Sequence, residues 1–259
     1  MHLAEEYYFN NSNWYYKPLW TYEAEKKGST VSLYYYSTNT EKFNYDTFER
    51  ADTYGLNIMK WNHIIVWNQQ QADYLKKFCP EAHYKIVGII DFSDSDKLFH
   101  IPTHGFNIAI FDVTPTRPVC YTGLGWAIAP YYSEELSLQF FRDIKNLFND
   151  SNINLLWKQK RIVDRKIVSN KFLKKQDRVI NKFFLVVDPG VSARRLIEES
   201  DAVISMPFTS TSIIGKELGK PSIYYDPSGT IVHRRKTDVP IIRTKENLLK
   251  WCQEIVSIK

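Results

Sequence analysis

The run from Asp201 to Asp226 (Asp-Ala-Val-Ile-Ser-Met-Pro-Phe-Thr-Ser-Thr-Ser-Ile-Ile-Gly-Lys-Glu-Leu-Gly-Lys-Pro-Ser-Ile-Tyr-Tyr-Asp) constrains the fold more than any other stretch. It reads as strand, polar turn, helix, strand. Ala202 to Met206 is short and mostly apolar, as suits a buried parallel strand. Pro207 has no N–H to give a neighbouring strand and ends the run. Ile213 to Leu218 predicts a short helix with Gly219 just past its end, and Pro221 to Tyr225 predicts the next strand. Thr209, Ser210, Thr211 and Ser212 stand where the helix should begin. A helix start has free backbone N–H groups and the positive end of the helix dipole, and four hydroxyls add further donors. That chemistry suits a phosphate or the diphosphate of a nucleotide sugar. The alternative is that Thr209 or Ser210 simply caps the helix.

The rest of the chain repeats the alternation. Pro18 and Gly28 bracket a helix; Val31 to Tyr36, His63 to Trp67 and Tyr84 to Val87 read as strands, with a helix over Gln69 to Phe78. Ser37 to Glu41 is a polar loop, and residues 92–105, with Ser-Asp-Ser-Asp, Pro102 and Gly105, read as a linker. Beyond it come strands at 106–111, 153–157, 183–187, 202–206, 221–225 and 239–242. Helices are expected at 133–149, 191–199 and 245–256, with a basic, partly helical excursion over 162–182. Alternating strands and helices predict parallel sheets. The expected organisation is an N-terminal α/β domain over 1–100, with only three strands and so either truncated, begun at an internal Met or reduced, and a complete C-terminal Rossmann-like domain over 106–259.

In an open parallel sheet ligands sit at the carboxyl ends of the strands. Thr114, Thr116 and Arg117 follow the first strand of the second domain, Lys158, Lys160 and Arg161 the second, and Asp188 the third. The hydroxyl cluster follows the fourth, and Asp226 and Ser228 the fifth. Cations and helix-start hydroxyls on one rim make an anion site, and Asp226 can hold a ribose or sugar hydroxyl. Taken singly, Lys158-Gln-Lys-Arg161 reads equally as a solvated loop and Asp226-Pro-Ser-Gly229 as an ordinary turn.

Other classes are disfavoured. The chain lacks GxxxxGK[ST], a GxGxxG after a strand, and GxSxG. Six scattered histidines show no zinc spacing, so no metal is expected. A net charge of +5 is compatible with anionic substrates or an anionic membrane surface, but no helix-spaced arginine run points to nucleic acid. Cys79, Cys120 and Cys252 read as free thiols of a reducing compartment. With no signal peptide and no apolar run of about 18 residues, a cytoplasmic protein is expected, either soluble or peripheral at the inner face of the membrane. The aromatic share of 15% suggests flat surfaces for rings or sugars, or core packing. His233-Arg-Arg-Lys236 reads as a charged loop that can also face an anionic acceptor or lipid.

The motif Pro207-Phe-Thr-Ser210, with the following Gly-Lys-Pro-Ser-Ile-Tyr-Tyr-Asp-Pro, resembles the bacterial polysaccharide-biosynthesis proteins named for a Pro-Phe-Thr-Ser (PFTS) motif. Lys17-Pro-Leu-Trp-Thr-Tyr-Glu-Ala24, Ile110-Phe-Asp-Val-Thr-Pro115, and Trp61 with Trp67-Asn-Gln-Gln-Gln71 are similar as well, so the resemblance covers most of the chain. It implies a glycosyltransferase of the two-Rossmann-domain (GT-B) architecture. The donor would be a nucleotide sugar, used without a cofactor, and the acceptor a polysaccharide or lipid-linked glycan. More distantly it is similar to sialyl- and Kdo-transferases that use CMP-activated sugars, with Lys158-Gln-Lys160 standing where those carry His-Pro. Donor binding then falls to Thr114, Thr116, Arg117, Lys158, Lys160, Arg161, Thr209, Ser210, Thr211, Ser212 and Asp226. Glu5 and Glu6, beside aromatics, are the candidate catalytic bases, or else surface acids. The rival readings are a sugar-nucleotide epimerase, a non-catalytic nucleotide- or glycan-binding fragment, and a membrane-surface adaptor using the basic 158–182 region.

Overall fold

The computed structural model describes residues 3–10, 16–35, 56–89, 99–117, 131–149, 152–159, 166–231 and 239–257. They fall into two compact units, one within Met1–Lys42 and Arg50–Phe92, the other within Phe43–Glu49 and Ser93–Lys259.

The first unit is a four-stranded parallel sheet of β1 (Glu6–Asn10), β2 (Thr30–Tyr34), β3 (His63–Val66) and β4 (His83–Ile86), in that spatial order. β1 is one strand more than the sequence pattern gave. Its Glu-Tyr-Tyr-Phe-Asn alternates exposed with half-buried positions and buries none fully. It therefore lacks the apolar signature of a core strand and is held by parallel pairing to β2.

Two stretches singled out in the sequence carry helix starts in this unit. Pro18 precedes α1 (Leu19–Lys26), and Gly28 follows it at φ 94°, a left-handed conformation open to glycine. Lys17 is buried and pairs with Glu25 across the helix. In Trp67-Asn-Gln-Gln-Gln71, Asn68 caps α2 (Gln69–Leu75) by accepting from Gln71 N, while Gln71 Oε1 accepts from Trp67 N at 2.7 Å. This is a reciprocal cap of the kind that fixes a strand-to-helix turn. Val31, Leu33, Tyr35, Trp61, Ile64, Val66, Ala72 and Leu75 form the core.

The second unit is a six-stranded parallel sheet. Its strands are β5 (Phe106–Phe111), β6 (Ile153–Lys158), β7 (Leu185–Val187), β8 (Ala202–Ser205), β9 (Ser222–Tyr225) and β10 (Ile241–Ile242). The spatial order is β7-β6-β5-β8-β9-β10. Counted within the unit this is 3-2-1-4-5-6, the doubly wound Rossmann order, with its switch point between β5 and β8.

Both faces are covered, which is why β5, β8 and β9 are buried at every position. Phe106, Ile108 and Ile110 pack with Phe140, Phe141 and Ile144 of α3 (Glu134–Ile144), Ile180 of α4 (Asn170–Phe183), and Leu248 and Cys252 of α7 (Lys245–Ser257). Ala109 and Phe111 belong to a second cluster with Leu196 and Ile197 of α5 (Ala193–Glu199). The helix of the central motif, α6 (Ser210–Glu217), begins three residues earlier than the sequence pattern placed it, so Ser210, Thr211 and Ser212 form its first turn. It lies so close to the sheet that a Cβ on Gly215 would stand 2.4 Å from Ser222 Oγ and 2.6 Å from a Val203 methyl.

Cys79 and Cys252 are buried free thiols, while Cys120 lies outside the described residues. Burial pushes the Cys252 thiol up to about 12. Among the described residues no helix is long and apolar enough to cross a membrane, and no group of three His, Cys, Asp or Glu is placed to hold a metal ion.

Candidate functional site

The Pro207-Phe-Thr-Ser210 loop leaves the carboxyl end of β8 at the switch point. Met206 N donates to Phe111 O at 3.0 Å, and Val113 N approaches Met206 Sδ at 3.4 Å, so the loops after β5 and β8 start side by side. Phe208 has φ 63° and is the one non-glycine residue among those described with a positive φ. A bulky residue in the left-handed region costs roughly 1–3 kcal/mol, so its surroundings must impose the conformation.

Three contacts do so. The Phe208 ring is buried edge-on against Tyr224, with centroids 5.7 Å apart. Tyr132 Oη donates to Pro207 O at 2.7 Å. Tyr224 Oη donates to Thr209 O at 3.0 Å. Tyrosines distant in the chain thus clamp the carbonyls on either side of Phe208.

With its carbonyls held, the loop presents the start of α6. Thr209 is the N-cap but makes no side-chain cap bond; its hydroxyl turns back to Met206 O at 3.1 Å and lies 3.2 Å from Thr211 Oγ1. The helices α2, α3, α4 and α5, by contrast, all have a side chain of Asn68, Ser133, Ser169 or Ser192 accepting from the first turn. Thr209, Ser210 and Thr211 are half-buried. The simple cap is therefore not what the hydroxyl cluster provides. A partly exposed, uncapped first turn at the carboxyl end of a parallel strand can take an anion.

Ser212 does not belong to that rim. It is fully buried, shares a 2.5 Å hydrogen bond with Ser205 Oγ and donates to Ile223 O at 2.7 Å, tying α6 to β8 and β9.

Asp226 is likewise withdrawn as a donor-holding group. Its carboxylate is 0% exposed. Oδ1 accepts from Tyr131 Oη at 2.7 Å, Ser228 N at 2.9 Å and Ser228 Oγ at 2.6 Å, and Oδ2 accepts from Ile231 N at 2.9 Å. Its acceptor positions are filled by the protein, so it knots the loop after β9.

In the loop after β5, Asp112 is buried and accepts from Trp157 Nε1 at 2.9 Å and Gln176 Nε2 at 3.4 Å. Arg117 is joined to the chain before α4, its N donating to Ile167 O at 2.7 Å and its Nη2 to Val168 O at 3.3 Å. Thr114 is half-buried, and the hydroxyl of Thr116 is a buried atom with no hydrogen-bond partner among the described residues. An unmatched buried hydroxyl is costly, and a bound ligand is one means of satisfying it.

Lys158 ends β6, one strand beyond β5 and so about 10 Å laterally from β8. It is buried, with Nζ donating to Pro189 O at 3.2 Å and Gln159 O at 3.4 Å. Burial lowers its pKa from the ordinary lysine value, against the opposing charge of Asp188. Asp188 is exposed and accepts from Gly190 N at 2.7 Å in its turn. Lys160, Arg161 and the loop His233-Arg-Arg-Lys236 lie outside the described residues, as do Ser37–Glu41 and residues 92–98 of the linker.

Glu5 and Glu6 stand where β1 begins. They are exposed at the amino end of the β1–β2 pair, where Glu5 O accepts from Thr30 N at 2.8 Å and Glu6 carries the Tyr8 hydroxyl at 2.5 Å. Ligands of a parallel sheet gather at the opposite, carboxyl end. The residues the sequence reading missed are Tyr131, Tyr132 and Tyr224. Their signal was the paired Tyr-Tyr at 131–132 and 224–225, which composition alone could not separate from core.

Two successive parallel-sheet α/β units, the second in Rossmann order, define the class as GT-B-like. The chain belongs to the polysaccharide biosynthesis PFTS motif proteins, whose family profile matches residues 1–252. No curated protein matches by sequence. Among solved structures, S. aureus MnaA with UDP is similar in fold at TM-score 0.50 and 9% identity, over 97% of this chain and 65% of that one. A TarM mutant of S. aureus in complex with fondaparinux, alpha-GlcNAc-glycerol and UDP matches at 0.45 and 14%, over 89% of this chain and 44% of that one. The Glycosylation Associate Protein (Gap123) complex of Streptococcus agalactiae matches at 0.45 and 13%, over 90% and 45%. The chain therefore spans about half the length of two of these structures and just under two thirds of the third.

Proposed function

We propose that the protein is a glycosyltransferase that moves a sugar from a nucleotide-sugar donor to a growing surface polysaccharide or lipid-linked glycan, at the cytoplasmic face of the membrane. The observation that carries this reading is the open first turn of α6, held at the Rossmann switch point by the tyrosine clamps. The donor's phosphate would lie on the first-turn N–H groups and the hydroxyls of Thr209, Ser210 and Thr211. Thr114 and Thr116 would line the neighbouring loop. Lys158 braces the turn after β7 and adds positive charge to the rim.

In the reaction the acceptor oxygen bonds to the anomeric carbon while the bond from that carbon to the phosphate oxygen breaks. The nucleotide leaves with the electron pair, and the acceptor proton passes to a base. Charge accumulates on the phosphate in the transition state, where fixed N–H dipoles are most effective because they need no reorganisation. The displacement of Glu5 and Glu6 from the carboxyl edge favours one second reading, a donor-binding protein that does not itself transfer.

Calorimetric titration with CMP, UDP, GDP and their sugar conjugates tests the site. One nucleotide should bind, and Ser210→Ala should weaken it at least about tenfold (~1.4 kcal/mol). Absence of binding to all of them would overturn the proposal. Binding without nucleotide release in the presence of a glycan acceptor would select the second reading.

A further inference from the structure

α4 stands apart from the other helices in its charge. Lys171, Lys174, Lys175, Arg178 and Lys182 are all exposed, against the single acid Asp177 on the same helix. At 3.6 residues per turn these five cations fall within an arc of roughly 100°, running about 16 Å along the axis. The buried positions Phe172, Gln176 and Ile180 lie on the far side of the helix.

Four of the other six helices supply an internal control. Lys26 pairs with Glu23 on α1, Lys76 with Asp73 beside α2, Arg194 with Glu198 on α5, and Lys250 with Glu254 on α7. Among the described residues no carboxylate pairs with any of the five cations of α4. An ordinary solvated helix mixes its charges, whereas the stripe on this one carries a single sign.

Exposed apolar side chains flank the helix in the chain. Ile167, just before the helix, is 36% exposed; Leu185 and Val186, on the edge strand that follows it, are 49% and 56% exposed. Lys182 also lies over the Phe183 ring, 5.3 Å from its centroid. A soluble polyanion matches the cations but gives the apolar groups nothing to pack on. A lipid surface of negative charge matches both, with phosphates for the cations and the headgroup–acyl boundary for the side chains.

We infer that α4 is a docking surface for an anionic lipid leaflet. Its purpose rests on the glycosyltransferase reading, because the same helix backs the candidate donor site. Gln176 reaches Asp112 in the loop after β5, and Arg117 of that loop bonds the chain just before α4. Docking along α4 would hold that loop near a lipid-linked acceptor.

The test is sedimentation of the whole protein with vesicles, without nucleotide, so that the two readings can fail separately. Vesicles of phosphatidylcholine with phosphatidylglycerol should carry the protein down at about 0.05 M salt. They should release it near 1 M, where the screening length is roughly 3 Å. Phosphatidylcholine alone should not carry it down. The triple variant Lys171→Gln, Lys174→Gln, Lys175→Gln should partition about a hundredfold less, at several-fold per cation near a charged surface. Its nucleotide titration and unfolding midpoint should not change. Equal partitioning of variant and wild type, or equal binding to neutral vesicles, would overturn the inference. So would binding to soluble heparin without binding to vesicles, which would make α4 a polymer-binding helix instead.

Discussion

The loops after β8 and β9 leave neighbouring strands of one sheet, and in the sequence they look alike: a strand, then a polar cluster. The loop after β9 is closed. Tyr131, Ser228 and Ile231 satisfy Asp226 from within the protein, and no part of its carboxylate reaches solvent. The loop after β8 is clamped through its carbonyls and left open at its donors, because Thr209 turns its hydroxyl away from the first turn it should cap. A ligand site is thus marked by which hydrogen-bonding groups the fold leaves unmatched, not by the number of polar residues. Ser212 and Ser210 make the same contrast within one helix turn.

That contrast can be broken by mutation. The largest effect is expected for Asp226→Ala, which leaves a cluster of buried donors without an acceptor and should lower stability by about 3 kcal/mol in urea unfolding. The folded protein should keep its nucleotide affinity. A stable Asp226→Ala protein that no longer binds nucleotide would show that the closed loop is the site.

Next comes Gly215→Ala, whose methyl would press on Ser222 and Val203 and force α6 off the sheet. A loss of about 2 kcal/mol is expected. Weaker nucleotide binding should accompany it, since the first turn moves with the helix. Ser212→Ala and Ser210→Ala sharpen the comparison further. The first should cost about 1 kcal/mol of stability, because Ile223 O loses its donor. The second should leave the unfolding midpoint in place and weaken only the nucleotide.

The smallest effect concerns pH. Lys158 has a pKa lowered by burial, so it loses its charge at a lower pH than a free lysine. Affinity for an anionic nucleotide should therefore decline as pH rises through that lowered value, and the decline should vanish in Lys158→Ala. For Cys252 the folded pKa is raised to about 12. Its contribution to stability is complete below the unfolded thiol value of about 8.5 and is lost as pH rises from there towards 12. Native protein should accordingly resist thiol reagents at Cys79 and Cys252 at neutral pH.

Much of the second unit was legible in the chain. The short apolar runs of β5, β8 and β9 are buried on both faces and carry no polar alternation to confuse them with surface strands. β1 was not legible, because its Tyr-Tyr-Phe run is only half covered and sits among asparagines. The start of α6 was displaced because Ser and Thr are ordinarily residues of turns; here the packing of Gly215 and the Ser212 bonds to Ser205 and Ile223 draw them into the helix.

By itself the sequence determined what depends on near neighbours: the strand–helix alternation, the hydroxyl-rich helix start after Pro207, and the cationic stripe of α4. Only the tertiary structure decided which of those polar groups is available. Tyr132 reaches Pro207 across 75 positions and Tyr131 reaches Asp226 across 95. Periodicity and propensity act over a few residues along the chain. Whether a buried carboxylate or a helix N–H already has a partner depends on groups brought together from far apart.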